Sequence, residues 1–362
     1  MTSFGRFFLP GPTAVHPEVL AAQNQAMIGH RGPAIKALME ELQSGLKDVF
    51  QTSSPVLVST SSATGLMEAA VRNGVRSRAL SLVNGAFSQR FGDIAAACGF
   101  EVDELEVEWG QTITPEAVRE RLSEGGVDAV TVVHSETSTG ALNPLAEIAG
   151  VVRDFEDVLL LVDSVTGVGG VEVRTDEWEL DFVLTGSQKA MALPPGLAFG
   201  VASDRMMARS AEARGKGVYF DLTAFRKQID NLQTPTTPAV SLLYALAEQL
   251  RRIGAEGMEA RWLRHRAMAD RCAAWVRSMR DERGLELTVL APEGERSATV
   301  TCMVLPEGVS GPTVVSAMKD LGFVIGGGYG KLKERTIRIG HMGDHSVAEL
   351  EDVLEGLERV LR

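Results

Sequence analysis

Three groups of residues have the types and positions for one shared piece of chemistry. Lys189 stands in Thr185-Gly186-Ser187-Gln188-Lys189, directly after the apolar run Phe182-Val183-Leu184 and before Pro194-Pro195-Gly196. The chain has only eight lysines among 36 basic residues, so a lysine in this turn is a selective choice. At a strand end, in a turn closed by prolines, a desolvated amine has a lowered pKa and can condense with a carbonyl. Asp163 follows Leu159-Leu160-Leu161-Val162, which puts it at the carboxyl end of a buried parallel strand, where α/β sheets form their ligand sites. Ser59-Thr60-Ser61-Ser62-Ala63-Thr64-Gly65 lies between the run 56–58 and the helical run 66–72. Amides and hydroxyls at such a helix start hold an anion without net positive charge on the protein.

Taken singly, each group has a plainer explanation: a solvated loop lysine, a capping acid, an ordinary capping turn. The absence of G-K-[ST] also argues against a nucleotide P-loop. Taken together they offer an amine for an aldehyde, a carboxylate for a protonated heterocycle and an anchor for a phosphate. Those are the requirements of pyridoxal phosphate.

The elements that must position these residues follow from hydrophobic periodicity. Apolar residues at three- and four-residue steps over 33–50 predict a helix with one buried stripe. Short β-branched runs at 56–58, 80–83, 129–133, 159–162, 182–184 and 197–201 alternate with helical stretches at 87–98, 114–122 and 144–155. This βαβ rhythm predicts a three-layer α/β domain with a mostly parallel sheet. From about residue 241 an Arg- and Ala-rich helical stretch runs towards Met279, broken near Gly254 and Gly257. Strands at 285–290, 298–305, 324–326 and 336–339, with helices at 311–321 and 347–361, predict a smaller C-terminal α+β domain. The expected division is an arm over 1–17, a large domain over 18–240, and a bridging helix with a small domain over 241–362.

Composition limits the partners. With 44% hydrophobic residues the chain can bury a sizeable core, and its formal charge of -12 argues against nucleic acid or an anionic membrane as principal partner. Three widely spaced cysteines without a C-x-x-C pair, no signal-like start and no membrane-length apolar run point to the cytoplasm. Met206, Met207, Trp262 and Trp275 read as core or interface. His341 and His345 lack ligand spacing, and no metal site is expected.

From Pro10-Gly11-Pro12 through Gly29-His30-Arg31, Val162-Asp163-Ser164-Val165 and Gly186-Ser187-Gln188-Lys189 to Arg338-Ile339-Gly340, the chain resembles the class V aminotransferases of the fold-type I pyridoxal-phosphate superfamily. Within them it is most similar to the alanine–glyoxylate and serine–pyruvate aminotransferase group. The resemblance implies that Lys189 binds the cofactor and shuttles a proton, and that Asp163 pairs with the pyridine nitrogen. Phe87 falls at the ring-stacking position, where tryptophan is common. Ser62, Ala63 and Thr64 match the phosphate turn, Thr137 a hydroxyl near the ring's O3', and Gln188 a neighbour of phosphate or ring. Gln233 and Thr236 match a loop that reaches the phosphate of the neighbouring subunit in a homodimer. Arg338 matches the group that binds the substrate α-carboxylate, with Gly29 and His30 beside the substrate.

The expected activity is therefore transamination from alanine or serine to glyoxylate or pyruvate. The alternatives are a class V aminotransferase for a phosphonate or phospho-amino acid, and a non-catalytic accessory protein that retains the fold. Cysteine desulfurase chemistry is disfavoured because Cys302 lies in an apolar strand pattern rather than on a loop.

Overall fold

The computed structural model describes residues 6–362; the first five residues of the expected arm lie outside that range. The arm supplies β1 (Phe7–Phe8) and leads into α1 (Pro17–Ala22) and α2 (Pro33–Phe50). In α2 the predicted stripe is buried, Pro33 begins the first turn, and Gln51 ends the helix in a left-handed conformation. There follow β2 (Leu57–Ser59), α3 (Ala63–Gly74), β3 (Arg78–Val83), α4 (Ala86–Ala97), β4 (Glu101–Glu106), α5 (Pro115–Ser123) and β5 (Ala129–Val133). A small hairpin of β6 (Ser135–Glu136) and β7 (Ala141–Leu142) precedes α6 (Leu145–Arg153), β8 (Leu159–Asp163), β9 (Phe182–Gly186) and β10 (Ala198–Ala202).

These strands build a seven-stranded sheet in the order β2-β10-β9-β8-β5-β3-β4. Neighbouring strands are parallel except at β10, which runs antiparallel to both β2 and β9. Strand β4 is absent from the sequence expectation. Its Glu-Val-Asp-Glu-Leu-Glu pattern belongs to an edge strand paired only with β3, which needs few apolar residues and gains solubility from charge. Three short helices are likewise absent from that expectation: α1, α7 (Asp204–Glu212) and α8 (Leu222–Ile229).

The second half contains α9 (Val240–Glu256), α10 (Met258–Arg283), β11 (Thr288–Val289), β12 (Val300–Val304), α11 (Gly311–Asp320), β13 (Val324–Gly327), β14 (Thr336–Gly340) and α12 (Val347–Leu361). The helical break falls at Gly257, whose φ of 81° favours glycine, while Gly254 stays helical. A five-stranded sheet runs β1-β13-β14-β12-β11, so the arm crosses to the C-terminal half and pairs parallel with β13. Separate cores result. One includes Leu161, Val162, Phe182 and Phe199 beneath the large sheet, and the other Phe8, Trp275, Ile337 and Leu354 around the small one.

Candidate active site

Sheet register alone gathers the predicted residues. Val133 pairs with Asp163 and Asp163 with Leu184, while Ala198 pairs with both Gly186 and Ser59. The carboxyl ends of β2, β3, β5, β8 and β9 therefore form one edge, and the turns after them carry Ser62, Phe87, Thr137 and Lys189, with Asp163 the last residue of β8.

At this edge the Lys189 amine donates to the carbonyl of Pro10 at 2.5 Å. The arm is tied to the same turn by Thr13, whose amide donates to Gln188 O at 3.0 Å and whose hydroxyl donates to Lys189 O at 3.1 Å. Gly11 passes over the lysine with φ 131°, and a Cβ there would run into the Lys189 side chain. Burial is the largest influence on the amine and, helped by the positive charges of Arg338 and Arg90, lowers it from 10.5 to about 8 against the pull of Asp163 and Glu136. Burial also raises the Asp163 carboxyl from 3.8 to about 7, opposed chiefly by the hydrogen bond from Val165 N to Oδ1 at 2.8 Å. Among the described residues this is its one side-chain hydrogen bond, and it has no ion pair.

Phe87 sits in the first turn of α4. That helix start is held by Glu136, a fully buried carboxylate that accepts from the amides of Phe87, Ser88 and Ser138 and from the hydroxyls of Ser88 and Ser138. Gly85 permits the approach, since a Cβ there would overlap Glu136. The Lys189 amine lies 5.9 Å from the Phe87 ring centroid, and the Arg90 guanidinium lies 4.9 Å from it. Tyr329 packs on Phe87 at 5.3 Å between centroids, and its hydroxyl accepts from Arg90 at 3.0 Å.

Arg338 lies in the middle of the small sheet, paired with Cys302 on one side and Gly326 on the other. It reaches the large sheet's edge, donating through Nη1 to Thr137 O at 3.1 Å and through Nε to Gly327 O at 2.8 Å. It is 9% exposed and has no carboxylate partner among the described residues, so it is a buried guanidinium with its charge unmatched. The Thr137 hydroxyl shares a hydrogen bond with Thr166 at 3.2 Å. Cys302 is a buried strand thiol pushed up to about 11 by burial, which makes it a poor nucleophile.

Ser62 is the residue that caps α3, but its side chain makes no capping hydrogen bond, so the first-turn amides are not spent on it. Ala63 and Gln188 converge at the end of β9: a Cβ on Gly186 would lie 2.8 Å from Gln188 Oε1 and 3.1 Å from Ala63 Cβ. The residues fit pyridoxal phosphate in three respects. A helix start with uncommitted amides stands beside the lysine turn, an aromatic ring faces the amine, and a buried carboxyl has no cation to balance it.

Gln233, Thr236, Gly29 and His30 lie apart from this cluster. Gln233 accepts from Arg31 Nη1 at 3.1 Å, and the same guanidinium donates to the carbonyls of Thr234 and Pro235. Thr236 and Gly29 are exposed, and a Cβ on Gly29 would meet open space, so within the chain this glycine serves no close approach. His30 makes no side-chain hydrogen bond or ion pair among the described residues.

Four participants escaped the reading of the sequence. Glu136 had a signal, a lone acid in a run of small polar residues, but a carboxylate that serves a helix start 49 residues away has no local pattern. Arg90 and Tyr329 meet only when the two sheets dock. Pro10 falls in the predicted arm, and no local pattern ties its carbonyl to the lysine 179 residues away.

The model of the family described as aminotransferase class-V matches residues 11–329. An uncharacterized aminotransferase of Methanocaldococcus jannaschii is 39% identical over 98% of this chain and 92% of its own. A serine–glyoxylate aminotransferase of Arabidopsis thaliana is 32% identical over 98% and 90%. The crystal structure of an alanine–glyoxylate aminotransferase from Nostoc sp. superposes with a TM-score of 0.92 at 32% identity, covering 99% of this chain and 95% of that one. With its strand-end lysine and carboxyl set in this architecture, the chain belongs to the class-V aminotransferase family and has its fold.

Proposed function

We propose that this aminotransferase uses pyridoxal phosphate to move the amino group of a small amino acid, alanine or serine, to glyoxylate or pyruvate in two successive stages. The observation that carries the reading is the meeting, at one sheet edge, of a lysine amine near 8 and a buried carboxyl near 7. The alanine–glyoxylate aminotransferase of Nostoc and the serine–glyoxylate aminotransferase of Arabidopsis support alanine, serine and glyoxylate, and pyruvate rests on the sequence resemblance.

When bound, pyridoxal phosphate supplies an electron sink for a substrate that loses its Cα proton, and it stores the amino group between stages. Lys189 Nζ, lowered by burial to about 8, takes that proton and returns it. Asp163 holds the ring's N–H through its unbalanced carboxyl. Phe87 covers a ring face, fixed by the Glu136 cap. The amides of Ser62, Ala63 and Thr64, with Gln188 alongside, hold the phosphate, and the Thr137 hydroxyl stands near the ring. Arg338 is fixed through Nε and Nη1, and its remaining N–H groups bind the substrate carboxylate and orient the Cα–H bond.

The Gln233–Thr236 segment, exposed at Thr236 and held by Arg31 next to Gly29 and His30, serves a second copy of the chain in a homodimer. Met27, 68% exposed in the same loop as Gly29, supports such an interface. The division into an arm over 1–17, a large domain over 18–240 and a bridging helix with a small domain over 241–362 is supported by the two cores, with Leu243, Leu246, Leu250 and Ile253 of α9 packed in the large one and Phe8 of the arm in the small one. Three free cysteines support a reducing cytoplasm, and no helix among the described residues is long and apolar enough to cross a membrane.

The test is the visible absorbance of protein supplied with pyridoxal phosphate, before and after alanine or serine is added without an acceptor. The expected result is a visible band that bleaches with the amino acid and returns with glyoxylate or pyruvate, and that is absent from Lys189→Ala. A band that ignores both amino acids overturns the substrate assignment. No band overturns the cofactor.

A further inference from the structure

The main-chain carbonyl of Pro10 and the Lys189 amine are each other's partner. Nζ donates to Pro10 O at 2.5 Å, and among the described residues neither atom has a second hydrogen bond. Pro10 is buried, so without the lysine its carbonyl would be an unmatched acceptor away from water.

The segment that makes this contact is held from both sides. On the small sheet, a Cβ on Gly340 would run into the Leu9 carbonyl and lie 2.6 Å from Pro10 Cα, and a Cβ on Gly326 would lie 2.6 Å from Pro10 Cδ. These two glycines leave a groove for Leu9 and Pro10, and both flank Arg338: Gly340 stands two residues along its strand, and Gly326 is its register partner on β13. On the large sheet, Thr13 binds the carbonyls of Gln188 and Lys189. The peptide between these anchors is carried over Nζ, where Gly11 has φ 131° and no room for a side chain.

A carbonyl can only accept, and an ammonium gives it a stronger bond than a neutral amine does, because the donor's charge assists. Pro10 O therefore favours the charged form of Lys189. The charged groups that act on Nζ come from four other elements: Arg90 of α4 and Arg338 of β14 oppose its charge, while Glu136 of β6 and Asp163 of β8 favour it. None of these is hydrogen-bonded to it, which leaves Pro10 as its one acceptor in contact among the described residues.

We propose that Pro10 is a positioning residue for the proton transfer assigned to Lys189: its carbonyl holds the ammonium that forms when Nζ takes the Cα proton, and keeps it in place until the proton goes back. This rests on the reaction proposed above. In the first step the Cα–H bond breaks, its electron pair passes to the electron sink that bound cofactor supplies, and an N–H bond forms on Nζ. On return that N–H bond breaks and its electron pair stays on Nζ. The arm thus belongs to the acid–base apparatus, and its place is set by the strand that carries Arg338.

The test is carbon NMR of the full chain, free of cofactor, with its eight lysines labelled at Cε; the Lys189 signal is the one lost in Lys189→Met. Two variants part the carbonyl from the amine by different routes. Gly11→Ala drives Nζ away directly, and Gly340→Ala displaces Leu9 and Pro10 from the β14 side. Thermal unfolding shows which variants fold, and where one does not, the other decides. Lys189 is expected to titrate about one to two units lower in both than in the native sequence. A titration that is unchanged or raised in a folded variant overturns the proposal. In the cofactor-loaded protein, the pH midpoint for bleaching of the visible band by amino acid should move down by the same amount. A lowered titration with an unmoved midpoint overturns the part played in the reaction, whereas a protein that shows no band in any sample overturns the cofactor reading and leaves the NMR result standing.

Discussion

Asp163 and Lys189 both pay for burial in stability, with opposite dependence on pH. The Asp163 carboxyl rises from 3.8 to about 7 in the fold, so the native state holds a proton that the unfolded chain has released. Between these values the unliganded fold loses stability as pH rises, and above about 7 the full cost is present. Lys189 falls from 10.5 to about 8, so its cost is full below about 8 and disappears as pH rises to 10.5. Cofactor-free Asp163→Asn is therefore expected to melt higher than the native sequence, by a margin that widens from pH 3.8 up to about 7. Cofactor-free Lys189→Met should also melt higher, by a margin that shrinks from about 8 towards 10.5. Thermal melts across pH decide the matter, and margins that do not vary with pH would show that neither burial carries this charge penalty. With cofactor bound, the same two substitutions should remove activity, as expected where a site trades stability for function.

At the scale of elements, α4 places Phe87 because Glu136 holds the helix start. Its carboxylate meets three amides and two hydroxyls, and Ser138, which it holds, accepts from the Ala86 amide at 3.0 Å. Its negative charge also suits the positive end of the helix dipole. Glu136→Ala leaves buried amides unmatched, each worth about 1–3 kcal/mol. Denaturant unfolding should show a loss of at least about 2 kcal/mol, and the cofactor should bind more weakly as Phe87 loses its fixed place. A variant of unchanged stability would mean that solvent or neighbouring groups satisfy those amides equally well.

Across the whole molecule, Arg261 joins the two halves. It is 1% exposed, donating to Ala190 O, the residue after Lys189, and to Gly169 O in the turn that follows Asp163, both at 2.9 Å. Its Nη1 reaches Glu256 at 2.9 Å and Asp344 at 3.1 Å, the latter on the segment just after β14, which carries Arg338. One guanidinium thus ties the lysine turn, the helices α9 and α10 and the segment after β14 into one body. The arm reinforces the link, since Phe8 stacks on His345 at 4.0 Å in the small core while Pro10 and Thr13 bind the lysine turn. Arg261→Met leaves the carbonyls of Gly169 and Ala190 without their buried donor, while Glu256 keeps Arg264 and Asp344 keeps Arg252, and a loss of about 2–4 kcal/mol is expected by chemical denaturation. A loss below about 1 kcal/mol would place Arg261 among the weak surface pairs.

The alternation of apolar runs and helical stripes determined the large sheet, its direction and the residues at strand ends. Burial of a sheet on both faces demands that pattern, and strand ends are then counted along the chain. Lys189, Asp163 and the α3 start were legible for this reason. Strand β4 was not, because an edge strand needs no apolar run, and neither was the return of the arm to the small sheet. Tertiary structure alone decided that Pro10 meets Lys189, that Glu136 caps α4, and that Arg90, Tyr329 and Arg338 converge. These contacts join residues 49 to 239 positions apart and depend on how two cores dock. Local periodicity reports only whether a side chain is buried; which distant polar partner satisfies it is settled when the surfaces meet.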